Sequence, residues 1–336
     1  MPRQSRLDAA GILHHVIIRG IERKKIFSDD TDRKDFLDRC EKVFPETKTT
    51  CYAFALMPNH VHLLLRTGIT PLSTAMSRLL TGYAVRFNKT HKRHGQLFQN
   101  RYKSIVCQED AYLKELVRYI HLNPLRARII KDIESLASFP YTGHASLMGT
   151  ITYPWQDDQF ILSLFGDNTD MARISYLDFV KEGMTQGRRN DLTGGGLVRS
   201  HGGWTEIRKS SERLKGDVRV LGDSRFVLDI LSQAQQKLDN RYNLKSMGID
   251  FSFVEQRVLE LCSLSKKDLY SRGRQKRFAE AKALLCFFAV RELGMTQTQL
   301  AQRLSMTQPG VASAVARGEK LTREKGYVLF DGGKKT

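Results

Sequence analysis

Two short stretches of this 336-residue chain bring together side chains suited to metal binding and to nucleophilic attack. The first is Met57-Pro58-Asn59-His60-Val61-His62-Leu63-Leu64-Leu65. On a β-strand, residues i and i+2 point to the same face. His60 and His62 would therefore project together, with Val61 turned to the core on the opposite side. Two neighbouring imidazoles form a bidentate metal platform; a pair of histidines on a wet sheet face is the ordinary alternative. The second stretch is Arg118-Tyr119-Ile120-His121-Leu122-Asn123-Pro124, at the end of a helical pattern. Tyr119 and Asn123, four apart, share a helix face. A tyrosine beside a metal can attack a phosphodiester. Its free pKa of about 10 makes it a weak nucleophile unless helped. A metal on the phosphate oxygens gives that help by polarising phosphorus and stabilising the developing charge. The chain has eleven tyrosines, so Tyr119 alone also reads as an ordinary half-buried side chain, and Tyr102 and Tyr112 are rivals for its role.

The elements that must position these groups follow from periodicity. His14 to Arg19 is a β-rich run, and Asp29 to Phe44 has helical spacing with aspartates at its start, where the helix dipole favours anions. Cys51–Met57 and His60–Arg66 are apolar runs separated by the Pro58-Asn59 turn signal. Pro71–Asn88 is helical, Tyr102–Cys107 is a short strand, and Asp110–Leu122 is a helix stopped by Asn123-Pro124. The order β-α-β-β-α-β-α predicts an α+β fold, a ferredoxin-like antiparallel sheet backed by helices. This domain is expected to span residues 1–145. A connecting region follows at 146–224, marked by Gly194-Gly195-Gly196 and Gly202-Gly203, and an all-α domain at 225–336.

Charge and composition narrow the partners. Lysine plus arginine is 54 and aspartate plus glutamate 36, a net charge of +18. Between Glu46 and Glu109 there is no acidic residue at all, and that interval holds nine cations. A solvated basic face is the plain reading; a polyanionic partner, nucleic acid, is the functional one. Five scattered cysteines without C-x-x-C spacing argue against a disulfide framework or structural zinc site. No run reaches the roughly 20 apolar residues of a membrane span, and the N-terminus lacks a run of signal-peptide length, so a cytoplasmic, nucleoid-associated protein without membrane contact is expected.

In the C-terminal part, Thr296–Val315 reads as a helix-turn-helix. Thr296 caps the first helix, which turns Leu300, Ala301 and Leu304 inward. Thr307 caps the second, with Pro309 in its first turn and Val311 and Val315 inward. Gln308, Ser313 and Arg317 would face duplex DNA. Residues 251–336 hold 16 basic and 8 acidic side chains, a balance of +8 that suits such a partner. A helical bundle for dimerisation is the structural alternative.

Taken together, M-P-N-H-V-H-L-L-L followed by V-R-Y-I-H-L-N-P resembles the single-tyrosine HUH transposases, and more closely their REP-associated tyrosine transposase branch. Leu97-Phe98-Gln99-Asn100-Arg101-Tyr102-Lys103-Ser104 is similar to that branch as well. The resemblance covers roughly residues 10–145. It implies an HUH fold that cleaves and rejoins single-stranded DNA, at hairpin or repeat ends, through a 5′-phosphotyrosine link. On this resemblance Tyr119 falls at the nucleophile, His60 and His62 at the metal-ligand pair, and Asn123 at a third polar ligand, a place that His121 or water would otherwise fill. Mg²⁺ is the expected metal, with Mn²⁺ a good substitute. Arg101, Lys103, Arg118, His121, Arg126 and Arg128 flank the motifs as candidate DNA contacts, and Phe98 and Tyr102 as base-stacking or core residues. The helices from Lys276 onward resemble the DNA-binding domain of DnaA-type replication initiators. A homodimer is compatible with this reading, and the tyrosine of such enzymes serves its own or a partner's metal site. The competing function is a domesticated DNA-binding regulator of repeat elements, without mobility; a relaxase or replication initiator has similar chemistry.

Overall fold

The structure is a computed structural model that describes residues 7, 11–68, 70–186, 189, 192, 217, 219–223, 225–234, 247–271 and 275–329. The chain divides into two compact units, Met1–Ser232 and Gln233–Thr336. Among the described residues no helix is long and apolar enough to cross a membrane.

In the first unit the elements run β1 (Leu13–Arg19), α1 (Asp30–Glu46), β2 (Thr50–Met57), β3 (His60–Arg66), α2 (Leu72–Thr90), β4 (Lys103–Cys107) and α3 (Glu109–His121). α1 starts where Asp29 accepts the backbone N–H of Asp32 at 3.0 Å, and it buries Phe36, Cys40, Val43 and Phe44 on one face. α2 enters through Pro71 and buries Leu72, Met76, Leu79, Tyr83 and Phe87.

The sheet order is β2-β3-β1-β4-β5. The first four strands pair antiparallel, which is the ferredoxin-like arrangement. The expectation of a purely antiparallel sheet is corrected at one edge: β5 (Val220–Leu221) pairs parallel to Val106 and Cys107 of β4. Both faces are covered. On one, Val16, Ile18, Phe54, Leu56, Val61, Leu63 and Leu65 meet α1 and α2. On the other, Leu13, Ala53, Ala55, Leu64 and Ile105 meet Leu113, Leu116, Val117 and Ile120 of α3. Burial on both sides explains why β2 and most of β3 read as unbroken apolar runs rather than alternating ones.

After α3 come α4 (Asn123–Arg126), α5 (Ile133–Ala137), α6 (His144–Leu147), α7 (Asp158–Ser163) and α8 (Thr169–Glu182). The described part of the expected connecting region, 146–224, is no open linker. Leu147, Ile161, Leu162, Ala172, Tyr176 and Val180 are buried in the α3 core, so hydrophobic burial extends the first unit well past residue 145. The glycines at 194–196 and 202–203 lie outside the described residues. Residues 225–234 are helical and cross the division at Gln233.

The second unit is helical, with helices Phe251–Cys262, Lys266–Tyr270, Lys276–Arg291, Gln297–Leu304 and Gln308–Lys325 around Val254, Val258, Leu285, Phe288, Leu300, Val311 and Val315. Helix Lys276–Arg291 is capped at Glu292, and Gly294 takes φ +71° in the turn beyond it. Thr296 and Gln299 form a reciprocal capping box, and Thr307 accepts from the Gly310 N–H at 3.2 Å. A Cβ on Gly318 would lie 2.1 Å from the Ala283 carbonyl oxygen, so only glycine lets the two longest helices approach there.

Candidate active site

The Pro58-Asn59 turn sets His60 as the first residue of β3, opposite Met57. Its backbone is pinned from the loop after β1: Pro58 carbonyl accepts the Ile26 N–H at 2.9 Å, and Asn59 carbonyl accepts the Gly20 N–H at 2.9 Å. Strand alternation then turns His60 and His62 to the α3 side, while Val61 is fully buried among the α1 and α2 contacts. The imidazole centroids of His60 and His62 are 5.1 Å apart.

Each of these rings has its Nδ1 occupied. Asn59 Nδ2 donates to the Arg23 carbonyl at 3.0 Å, which leaves Asn59 Oδ1 facing His60 Nδ1 at 2.7 Å. An amide oxygen only accepts, so His60 carries its proton on Nδ1 and a lone pair on Nε2. His62 Nδ1 lies 2.9 Å from Nε2 of a third histidine, His15 of β1. Burial lowers the His15 and His60 pKa values to about 4, with Lys103 adding to the effect at His15 and Arg19 at His60. Burial also lowers the His62 pKa well below its ordinary value, helped by His15, His60 and Arg19. All three imidazoles are thus neutral at pH 7 and hold the lone pairs a metal requires.

Tyr119 stands in the last turns of α3, half-buried, with its ring edge-on to His62 and to His15 at 6.0 Å from each. The phenol is therefore adjacent to the histidines of its own chain. Arg126 of α4 places its guanidinium 5.6 Å from the Tyr119 ring centroid. Its Nη2 donates to the Gly183 carbonyl at 3.1 Å, whereas Nε and Nη1 are buried without a partner. Burial lowers the Arg126 pKa against the pull of the Tyr119 phenol, which acts to raise it. Asn123 lies one helical turn beyond Tyr119, and its Nδ2 is also buried without a partner. Among the described residues no group of three or more His, Cys, Asp or Glu is arranged to hold a metal. The candidate donors are the two imidazoles; the Asn123 amide is a further polar group whose oxygen and nitrogen are interchangeable by rotation.

The remaining predicted residues divide by burial. Arg101, Lys103, Arg128, Gln308, Ser313 and Arg317 are exposed. Lys103 shares the histidine face of the sheet, opposite Ile17. Two expectations are corrected. Arg118 is only 5% exposed and is spent on Phe179 carbonyl at 3.0 Å, Glu115 at 2.7 Å and Gln186 at 3.1 Å, with the Phe179 ring beneath it. His121 is fully buried and its Nδ1 meets the Tyr176 hydroxyl at 2.8 Å, so it is available neither to DNA nor as a metal ligand. Both lie one to two residues from Tyr119, and 100° of helical turn per residue carries them to the α8 side. Phe98 and Tyr102 pack in the α1–α2 core, and Tyr112 against the α3 core. The sequence reading missed His15 and Arg19. Their signal is the alternation His15, Ile17, Arg19 along β1, which becomes informative only when the register sets Ile17 opposite His62 and Arg19 opposite His60.

A solved REP-associated tyrosine transposase bound to a REP hairpin is similar at 16% identity, covering 46% of this chain and 91% of that one, with a TM-score of 0.37. No curated protein matches the chain in sequence. The model of the IS200-like transposase family matches residues 9–123, a span that contains His15, His60, His62, Tyr119 and Asn123.

Proposed function

We propose that the first unit cleaves and rejoins single-stranded DNA, with Tyr119 as nucleophile and His60 and His62 as the metal-holding pair. The observation that carries this reading is that both histidines have Nδ1 engaged, on Asn59 and on His15, beside a phenol ring 6.0 Å from His62. The metal's ligands would be His60 Nε2, His62 Nε2 and the Asn123 amide oxygen, and the orphaned buried amide of Asn123 supports that third place. Mg²⁺, or Mn²⁺ in its stead, would when bound neutralise charge on the phosphate oxygens.

Tyr119 Oη attacks the scissile phosphorus in line. The bond from phosphorus to the 3′ oxygen breaks, the 3′-OH leaves with a proton, and the 5′ phosphate stays on the tyrosine. A second 3′-OH then attacks the phosphotyrosine, joins the strands and returns the phenol; the covalent link conserves the bond energy, so no ATP is required. The two unpartnered donors of Arg126 suit a non-bridging oxygen of that phosphate. Exposed Arg101 and Lys103 are suited to backbone phosphates on either side. A site complete within one chain makes the tyrosine act in cis, and a homodimer is then not needed for the chemistry.

Labelled single-stranded hairpin substrate tests the assignment. Wild-type protein with Mn²⁺ is expected to form a covalent adduct and Tyr119→Phe none; adduct from the variant rejects the nucleophile.

For the second unit we propose duplex binding through the exposed Gln308, Ser313 and Arg317 at the front of helix Gln308–Lys325. Gln308→Ala or Arg317→Ala is expected to weaken duplex binding by about 1–3 kcal/mol without changing adduct formation on single strands. The competing regulator reading predicts duplex binding with no adduct at all.

A further inference from the structure

The two candidate ligands differ in what holds them. His60 is oriented by an amide oxygen that can only accept. His62 is oriented by another imidazole, which can either donate or accept, so the identity of the partner leaves the direction of that hydrogen bond open. The surroundings are unusually constrained. His15 and His62 are 0% and 5% exposed, their rings stack at 5.2 Å with planes 25° apart, and Tyr119 abuts both edge-on. His15 is a diagonal neighbour of His62 across the β1–β3 ladder, so rigid strand pairing rather than a loop sets its distance.

We infer that His15 is a positioning residue for the metal-holding pair: its Nε2 accepts the Nδ1–H of His62, which fixes the lone pair of His62 on Nε2. The opposite direction, with His15 donating, would put the His62 proton on Nε2 and close that nitrogen to a metal. The direction with His15 accepting makes the two histidines equivalent, each donating from Nδ1 to a fixed acceptor and each presenting Nε2. Such outer partners set the tautomer and ring plane of a ligating histidine. His15 also backs the edge of the Tyr119 ring, so one side chain aligns the pair and the nucleophile together.

This inference rests on the metal-site reading, and the test separates the two. In metal-free full-length protein with ¹⁵N-labelled histidine, long-range ¹⁵N–¹H spectra should show His62 as the Nδ1–H tautomer. An Nε2–H tautomer overturns the proposal, whatever metal does. Titration with Mn²⁺, followed by calorimetry, supplies the second readout. His15→Phe keeps the ring and removes the acceptor, and it should weaken Mn²⁺ binding by about 10–100-fold, with His15→Gln recovering most of the loss. Unchanged affinity and an unchanged tautomer in His15→Phe also overturn it. If wild type and His62→Ala bind Mn²⁺ alike, the metal reading fails instead, and the tautomer measurement still judges His15. Should His15→Phe fail to fold, the wild-type spectrum and His15→Gln decide.

Discussion

Two clusters of histidine around a tyrosine lie on different sides of α3, and they have opposite characters. In one, His121 Nδ1 and His144 Nδ1 both meet the Tyr176 hydroxyl, at 2.8 and 2.7 Å, and all three side chains are fully buried. Burial pushes the Tyr176 hydroxyl pKa well above its ordinary value. In the other, the Nδ1 atoms of His60 and His62 are turned to Asn59 and His15, and Tyr119 meets the rings by its edge. The first arrangement consumes its hydroxyl between two imidazoles and ties α8 to α3 and α6. The second leaves the Tyr119 hydroxyl out of its imidazole hydrogen bonds, which run to Asn59 and His15. The residue types are nearly the same. Nδ1 is the engaged nitrogen in both clusters; whether the tyrosine hydroxyl lies between the rings separates a structural network from a candidate reactive one.

The sharpest way to break this contrast is to remove each hydroxyl. Tyr119→Phe should abolish the covalent adduct while leaving thermal stability near wild type. Tyr176→Phe should retain the adduct but lose about 1–3 kcal/mol in urea unfolding, since two buried imidazole nitrogens lose their partner. Equal behaviour of the two variants would erase the distinction.

Next in size is Arg126. Arg126→Gln removes a charge whose Nε and Nη1 have no partner among the described residues, and single-turnover adduct formation is expected to slow about 100-fold. A change in stability alone would make Arg126 a structural strut on Gly183.

Exchanging the histidines sharpens the comparison from the other side. His60→Ala should weaken Mn²⁺ binding, with adduct formation partly restored at high Mn²⁺. His144→Ala should leave Mn²⁺ affinity unchanged and lower the melting temperature, which differential scanning calorimetry would read.

The last contrast is in pH dependence. Burial lowers His14 and His144 from 6.5 to about 4. Between those values the unfolded chain binds protons that the native state refuses. Each group's contribution is intact above pH 6.5 and is lost as pH falls toward 4, at up to about 1.4 kcal/mol per pH unit. Urea midpoints at pH 7, 5.5 and 4.5 measure this, and a flat series would show that the rings accept protons in the folded state.

His60, His62 and Tyr119 were legible in the amino-acid order because a strand's two-residue period and a helix's 3.6-residue period act locally. The caps at Thr296 and Thr307, the aspartate-rich start of α1 and the Pro58-Asn59 turn were legible for the same reason: each is settled within a few residues. Arg118 and His121 misled because a basic or imidazole side chain beside a motif looks alike in sequence whether its helix face meets solvent or, as here, α8.

The chain order alone thus determined which strands and helices form, the alternation that puts two imidazoles on one face, and the excess of positive charge. Tertiary structure decided that His15 would cross from β1 to hold His62, that Arg126 would reach the Tyr119 ring, and that α8 would bury what lies behind it. The physical reason is range. Backbone geometry repeats over a few residues and is written locally. A hydrogen bond between residues 15 and 62, or a cation beside a ring under a later helix, exists only once strand register and helix packing have brought distant segments within a few ångströms.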